Sequence, residues 1–122
     1  MRVGIICAIP DEIKYYELRP NSAQKLGGRT FFKSQETERE LIVVECGLGK
    51  VNAALVSSLL IHEFECKLLI FSGVAGGIDP ELGIGEVVIG EYLIQYDYGA
   101  LNDGELQVYR AGSIPMGPLK NE

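Results

Sequence analysis

The chain between positions 68 and 77 reads Leu68-Leu69-Ile70-Phe71-Ser72-Gly73-Val74-Ala75-Gly76-Gly77, a short apolar run followed by three glycines within five residues. The apolar run predicts a buried strand, because it is short and is bounded by turn residues. Glycine permits positive φ angles and lets a ligand come close to the main chain. Since ligands of open α/β sheets bind beyond the carboxyl ends of the strands, this stretch predicts a small-molecule site.

A similar turn lies upstream, where Gly47-Leu48-Gly49 follows the apolar run at 41–44. The residues after this turn, from Lys50 to Glu65, carry apolar side chains near the 3.6-residue period of a helix. The turn does not fit a dinucleotide or phosphate-loop motif, because Asn52 stands at the third glycine position and Val51 replaces the required Ser or Thr. A purely structural role and a ligand-binding role both remain open for the two glycine turns.

The start of the chain predicts a buried strand over residues 2–8 and a helix that begins at Pro10 and ends at Pro20. Short strands are expected at 24–26 and 29–33 around a Gly27-Gly28 turn, and a further strand from Glu86 to Gln95. Asn102-Asp103-Gly104 predicts another turn. This order of strands and helices predicts a single α/β domain over residues 1–122, with some antiparallel pairing.

The composition of the 122 residues is that of a globular protein, with 47% hydrophobic residues, 23% charged residues and a formal net charge of −6. Such an acidic chain argues against nucleic acid and anionic membranes as partners. No apolar run is long enough to span a bilayer, and no cleavage site follows the apolar start. The three cysteines lack zinc-like spacing, which predicts reduced thiols, a cytoplasmic location and no metal site.

Two acidic residues, Asp11 and Glu12, stand in the first turn of the helix that follows the first strand. The positive end of the helix dipole stabilises acidic side chains at this position, which would be a purely structural role. A carboxylate beside the ends of the strands is also a candidate general base that deprotonates water. Composition alone leaves open which of the two acids would take that role.

Three motifs occur in the order Val3 to Glu12, Glu45 to Ala54, and Ser72 to Gly77 with Leu82 to Val88. Together they resemble the 5′-methylthioadenosine/S-adenosylhomocysteine nucleosidases of the nucleoside phosphorylase superfamily, and the match covers most of residues 2–98. The resemblance implies a three-layer α/β fold with a mixed sheet. It implies hydrolysis of the N-glycosidic bond of an adenine nucleoside, with no cofactor.

The resemblance also implies a role for individual residues. Glu12 would activate the attacking water, and the substrate contacts would be Ile9, Leu48, Val74, Ala75 and Gly76. Leu48 would line the ribose and alkylthio region, while residues 74–76 would border the base and the water. Val74 stands where that family often has a serine, so one hydrogen bond of the water network is expected to be missing.

Members of that family are considerably longer, and their second half supplies the acid that protonates the leaving base and the glutamate that holds the ribose. No segment of this chain matches those second-half motifs. We therefore expect an N-terminal half of a truncated fold: a fragment, a truncated gene product or a split subunit. Such a chain is expected to form a homodimer, or to pair with a missing C-terminal half.

Phosphorolysis is an alternative reaction, but phosphorylases hold phosphate with arginines. The strand at 68–72 contains none, and Ala8-Ile9-Pro10 is not a glycine-rich phosphate loop, so water is the favoured nucleophile. Purine nucleoside phosphorylase and futalosine hydrolase relatives remain alternative assignments. A non-catalytic module for nucleoside binding or assembly is a further alternative.

Overall fold

The computed structural model describes residues 1–34 and 39–109 and divides the chain after Ile78 into two compact units. The described residues of the first unit form five strands, two α-helices and one short 3-10 helix at Pro20–Ser22. Its strands are β1 (Val3–Cys7), β2 (Gln24–Leu26), β3 (Arg29–Ser34), β4 (Leu41–Glu45) and β5 (Leu68–Phe71), and its helices are α1 (Pro10–Ile13) and α2 (Lys50–His62).

The five strands form one mixed sheet in the order β2-β3-β4-β1-β5. β4, β1 and β5 are parallel, whereas β2, β3 and β4 are joined antiparallel. The register pairs Cys7 with Glu45 and Ile6 with Phe71. The carboxyl ends of three parallel strands therefore meet at one edge of the sheet.

One helix packs on each face of the central strands β1 and β4. On one face, strand residues such as Ile6 and Val44 form a buried cluster with Val56 and Leu60 of α2. On the other face, Val3, Ile5 and Val43 pack with Ile13 of α1. These two layers of apolar side chains confirm the expected α/β class with a mixed sheet, since β1 and β4 alternate their side chains between two buried faces. The strand predicted at 68–71 is present as β5, but its predicted burial is wrong: Ile70 is 44% exposed and Phe71 59%, because β5 lies at the edge of the sheet and has a neighbour on one side only.

The helix expected from Pro10 to Pro20 is shorter than the sequence suggested. It ends at Ile13, and Leu18 then forms an isolated antiparallel bridge with Ser34 of β3. Extended backbone at Leu18 is incompatible with a continuing helix, and Arg19 is also extended because a residue before proline avoids the helical region. Pairing with the sheet thus replaces the last part of the expected helix.

The second unit, from Asp79 onward, contains a hairpin of β6 (Gly99–Asn102) and β7 (Glu105–Val108). Its turn at Asp103-Gly104 has positive φ at both residues, and this confirms the turn predicted there. The two strands of the hairpin were not predicted. The segments 35–38 and 110–122 lie outside the described residues.

The prediction of a strand from Glu86 to Gln95 is wrong. Residues 86–95 form irregular backbone with a bend at 91–92, and the side chains of Val87 and Ile89 are 89% and 90% exposed. A strand needs a neighbouring ladder for its N–H and C=O groups. No such ladder joins residues 86–95 in the described ranges, so apolar β-propensity alone does not produce a strand there.

No helix of the described residues has both the length and the apolar character needed to cross a membrane.

Candidate functional site

The candidate site lies at the edge where β1, β4 and β5 end. Three loops leave the sheet there: residues 8–9 after β1, residues 46–49 after β4, and residues 72–77 after β5. All three carry motifs that the sequence singled out. Parallel pairing is what brings these distant segments of the chain together.

Glu12 joins two of these loops through its carboxylate. Oε2 accepts hydrogen bonds from the backbone N–H of Ala8 at 2.7 Å and of Ile9 at 3.2 Å. Oε1 accepts one from the backbone N–H of Val74 at 3.0 Å. The carboxylate therefore spans the gap between the end of β1 and the loop that follows β5.

These hydrogen bonds hold the pKa of Glu12 below its ordinary value of 4.5. The N–H of Val74 has the largest effect, that of Ala8 follows, and that of Ile9 adds to them. Each N–H donor stabilises the ionised carboxylate more than the neutral acid. Glu12 is consequently a carboxylate at neutral pH and acts as a hydrogen-bond acceptor only.

The local fold explains why Glu12, and not Asp11, reaches the strand ends. Ile9 is extended and precedes the first turn of α1, which places Glu12 at the third helical position with its side chain turned back toward the start of the helix. Asp11 is on the surface and pairs with Lys14 at 2.9 Å. The structure thus distinguishes two acids that composition left equivalent.

Gly73 is a residue of this site that the sequence analysis did not single out as a contact. A Cβ atom at position 73 would lie 2.6 Å from Oε1 of Glu12 and 2.9 Å from its Cδ. That separation is shorter than non-bonded carbon and oxygen atoms tolerate. Glycine at 73 therefore allows the Glu12 carboxylate to approach the loop and accept the hydrogen bond from Val74.

The turn after β4 is held by a chain of hydrogen bonds. Asn52 Nδ2 donates to the carbonyl of Leu48 at 2.6 Å, and Arg29 Nη2 donates to Asn52 Oδ1 at 3.0 Å. Gly47 and Gly49 have φ of +80° and +99°, a region that favours glycine. The sequence predicts neither Arg29 nor Asn52 as a site residue. Arg29 is distant in sequence from the turn, and Asn52 stands where a dinucleotide motif would need its third glycine.

The residues expected to contact substrate flank these hydrogen bonds. Leu48 and Val74 are 74% and 83% exposed, Ala75 and Gly76 are also exposed, and Ile9 is half-buried. Exposed apolar side chains at the strand ends are available to a ligand. The structure places all five in the loops at this edge, while their contacts with a substrate stay a prediction.

The thiol of Cys7, at the end of β1, is expected to be unreactive. Burial, followed by the negative charge of Glu12, raises the pKa of Cys7 to about 11. The thiol is protonated at neutral pH and is a poor nucleophile. Among residues 1–34 and 39–109, no three His, Cys, Asp or Glu side chains are grouped so that they could hold a metal ion.

The chain is similar in sequence to known proteins. The sequence profile of the phosphorylase superfamily matches residues 2–119. A 5′-methylthioadenosine/S-adenosylhomocysteine nucleosidase of Mycobacterium bovis is 41% identical over 116 residues, which are 93% of this chain and 46% of that protein. The enzyme of the same name from Listeria innocua is 34% identical over 120 residues, 97% of this chain and 50% of its own length.

Solved structures of similar proteins share the fold. The S-adenosylhomocysteine nucleosidase of Streptococcus pyogenes, in complex with 5-methylthiotubericidin, superimposes with a TM-score of 0.77 at 28% identity, over 93% of this chain and 49% of that chain. The futalosine hydrolase of Helicobacter pylori gives a TM-score of 0.58 at 29% identity, over 68% and 37% respectively. The chain spans about half the length of the curated relatives it matches.

Proposed function

The chain belongs to the phosphorylase superfamily, and we propose that it supplies the water-activating part of an active site that hydrolyses the N-glycosidic bond of 5′-methylthioadenosine and S-adenosylhomocysteine. Similarity to nucleosidases of that name over more than nine-tenths of the chain supports this proposal. One observation of the structure carries it. The Glu12 carboxylate is ionised and is held by backbone N–H groups from two strand ends.

The hydrogen-bond geometry of Glu12 suggests where a water would bind. An ionised carboxylate has about four acceptor sites, two on each oxygen. The N–H groups of Ala8 and Ile9 occupy both sites of Oε2, and the N–H of Val74 occupies one site of Oε1. The remaining site on Oε1 is therefore the one that would accept an O–H of the attacking water.

The proposed reaction breaks the bond between C1′ of the ribose and N9 of adenine. Water adds its oxygen to C1′ and gives a proton to Oε1 of Glu12, while the electron pair of the broken bond leaves with adenine. A low pKa makes Glu12 a weak base. A weak base is sufficient when C1′ already has the cationic character of an oxocarbenium ion, since such a centre is attacked readily by water. A second acid must protonate adenine, because one carboxylate cannot do both at once.

The surrounding residues are proposed to bind the substrate. Leu48, exposed beside Gly47 and Gly49, would contact the ribose and the alkylthio group. Val74, Ala75 and Gly76 would border the base and the water, and Ile9 would add an apolar contact at the end of β1. Val74 offers its N–H to Glu12 but has no hydroxyl, so the water would be held with one hydrogen bond fewer than a serine at 74 would allow.

Hydrolysis is favoured over phosphorolysis by the charge at this position. Within the described ranges, the pKa of Glu12 is lowered by backbone N–H groups, with no contribution from a cationic side chain. A phosphate anion placed against this carboxylate would be repelled, whereas a neutral water would not. Water is therefore the proposed nucleophile.

The experiment that tests the proposal measures release of free adenine from 5′-methylthioadenosine by the protein as expressed from its own gene. Parallel reactions contain either no phosphate or several millimolar phosphate. Equal adenine release in both supports hydrolysis. Adenine release that requires phosphate would contradict hydrolysis. If calorimetry detects binding of an adenosine analogue but no turnover occurs, the non-catalytic nucleoside-binding module is favoured.

The likeness to a futalosine hydrolase structure supports a second candidate substrate. An assay of free-base release, with 5′-methylthioadenosine and futalosine as parallel substrates, decides between them. Preferential hydrolysis of 5′-methylthioadenosine supports the first proposal, and preferential hydrolysis of futalosine supports the second.

We also propose that the protein is a cytoplasmic homodimer. Exposed apolar side chains on α2 support self-association: Val51 is 84% exposed, Ile61 48% and Leu55 43%. Burying such side chains between copies would remove apolar area from water. Light scattering after size-exclusion chromatography tests this, and a monodisperse monomer would contradict it.

A further inference from the structure

We propose that Arg29 is a positioning residue that acts through Asn52: it fixes the carbonyl of Leu48 and thereby holds the Gly47–Gly49 turn in the conformation that accepts a nucleoside. What the turn binds rests on the function proposed above. How the turn is held rests only on the hydrogen bonds of this chain.

The turn needs external support because its two glycines have little conformational preference. Gly47 and Gly49 lie at φ of +80° and +99°, and a glycine explores both signs of φ about equally. Gly49 precedes α2 and supplies no side chain to cap it. Leu48, between them, is 74% exposed and is not held by packing. A turn with this composition is mobile unless hydrogen bonds fix it.

The donors and acceptors of the network can be arranged in one way only. Arg29 has donors and no acceptor, so the atom of Asn52 that faces it must be Oδ1. The other end of the amide is then Nδ2, a donor, and it faces the carbonyl of Leu48, which only accepts. Arg29 therefore determines the orientation of the Asn52 amide, and the amide determines where the Leu48 carbonyl points.

Arg29 is well placed for this task because it begins β3, the strand that pairs with β4. Its guanidinium lies directly over the turn. A Cβ atom at position 47 would be 3.0 Å from Nη2 and 3.3 Å from Nη1. Glycine at 47 thus permits both the positive φ and the close approach of the guanidinium. The sheet supplies a rigid base from which Arg29 restrains the loop.

The test compares Arg29→Met and Asn52→Asp with Lys33→Met as the control. Lys33 lies on the same strand and pairs with Glu40 at 2.8 Å, so Lys33→Met removes a cation from β3 without touching the Arg29–Asn52 hydrogen bond. Backbone ¹⁵N relaxation of Leu48 and Gly49 reports on the turn without any ligand. Calorimetry with 5′-methylthioadenosine reports on binding.

We expect Arg29→Met to lower the order parameters of Leu48 and Gly49 from about 0.85 to below about 0.7. Nucleoside affinity should fall roughly three- to ten-fold, the effect of losing one net hydrogen bond. Lys33→Met should change neither quantity.

Asn52→Asp separates positioning from general stability. Aspartate still accepts from Arg29 and favours the first turn of α2, so thermal stability should be kept or raised. Aspartate cannot donate to the Leu48 carbonyl, so the turn should loosen and affinity should fall.

Unchanged relaxation of Leu48 and Gly49 in both variants would overturn the inference, as would a loosened turn with undiminished affinity. If the unsubstituted protein binds no nucleoside, the proposed function fails, and the relaxation data still decide whether Arg29 holds the turn.

Discussion

The carboxylate of Glu12 accepts a hydrogen bond from the backbone N–H of Val74, which is 62 residues further along the chain, at 3.0 Å. This bond joins the start of α1 to the loop after β5. It exists because β1 and β5 are parallel neighbours whose carboxyl ends coincide. One side chain therefore connects the two motifs that the sequence placed furthest apart in the candidate site.

The closeness of Gly73 to Glu12 leads to a prediction for Gly73→Ala. The added Cβ would lie 2.6 Å from Oε1, so the carboxylate must move and the bond from Val74 must lengthen or break. The pKa of Glu12 should then rise toward its ordinary value of 4.5, measured by NMR titration of its side-chain carboxyl carbon. Turnover should fall by roughly 100-fold, since a displaced catalytic group costs about that much.

Gly76→Ala is the matched control for this titration. A Cβ at position 76 has no atom within 4 Å, so the pKa of Glu12 should not change. A Gly73→Ala protein whose Glu12 pKa equals that of the unsubstituted protein would show that the contact is not what holds the carboxylate.

The apolar strands whose carboxyl ends form the site were predictable from the sequence, but the hydrogen bond from Val74 to Glu12 was not. β1 and β4 are apolar at nearly every position because both faces of the sheet are covered, and this composition is visible in the sequence. The choice of Glu12 over Asp11 depends on where α1 begins relative to β1, within one residue. Sequence patterns do not locate helix boundaries that finely.

Errors of the sequence analysis occurred where partners in space, not local preference, decide the structure. Leu18 belongs to a bridge with Ser34, and this shortened the expected first helix. The apolar residues at 87–89 suggested a strand, but no ladder forms there among the described residues. Arg29 was overlooked because nothing in its neighbourhood indicates that its guanidinium reaches Asn52.

Acid sensitivity should follow from two glutamates with lowered pKa. Hydrogen bonds from Lys33 and then from Arg2 hold the pKa of Glu40 below its ordinary value of 4.5, and Glu12 is lowered by backbone donors. A carboxyl group whose pKa is lower in the folded state than in the unfolded state stabilises the fold at pH values above its unfolded-state pKa. This contribution is lost as the pH falls through the folded-state pKa. The free energy of unfolding should therefore fall below about pH 4.5.

Glu40→Gln tests this pH dependence by urea unfolding between pH 7 and pH 3. Because Glu40 is partly exposed, its loss should cost no more than about 1 kcal/mol at pH 7 and still less at pH 3. The stability of the variant should thus depend less steeply on pH. Parallel pH profiles for the two proteins would show that the ion pairs of Glu40 contribute nothing.

Cys7 should resist alkylation in the folded protein. With a pKa of about 11 against an ordinary 9.0, its thiolate fraction at pH 7.5 is about 100-fold smaller than in an unfolded chain, and the side chain is fully buried. Mass spectrometry after brief iodoacetamide treatment should find Cys7 modified in guanidinium chloride but not in native buffer. Equal labelling in the two conditions would place Cys7 in a more open environment than the structure describes.

The most direct measurement is the rate of adenine release from 5′-methylthioadenosine by the unsubstituted protein, by Glu12→Gln and by Asp11→Asn. Glutamine cannot take a proton from water, so Glu12→Gln should lower kcat by roughly 10²- to 10⁴-fold, the usual contribution of a general base. Asp11 pairs with Lys14 on the surface, so Asp11→Asn should stay within about two-fold of the unsubstituted rate. An active protein that keeps its full rate in Glu12→Gln would contradict the assignment of Glu12 as the water-activating residue.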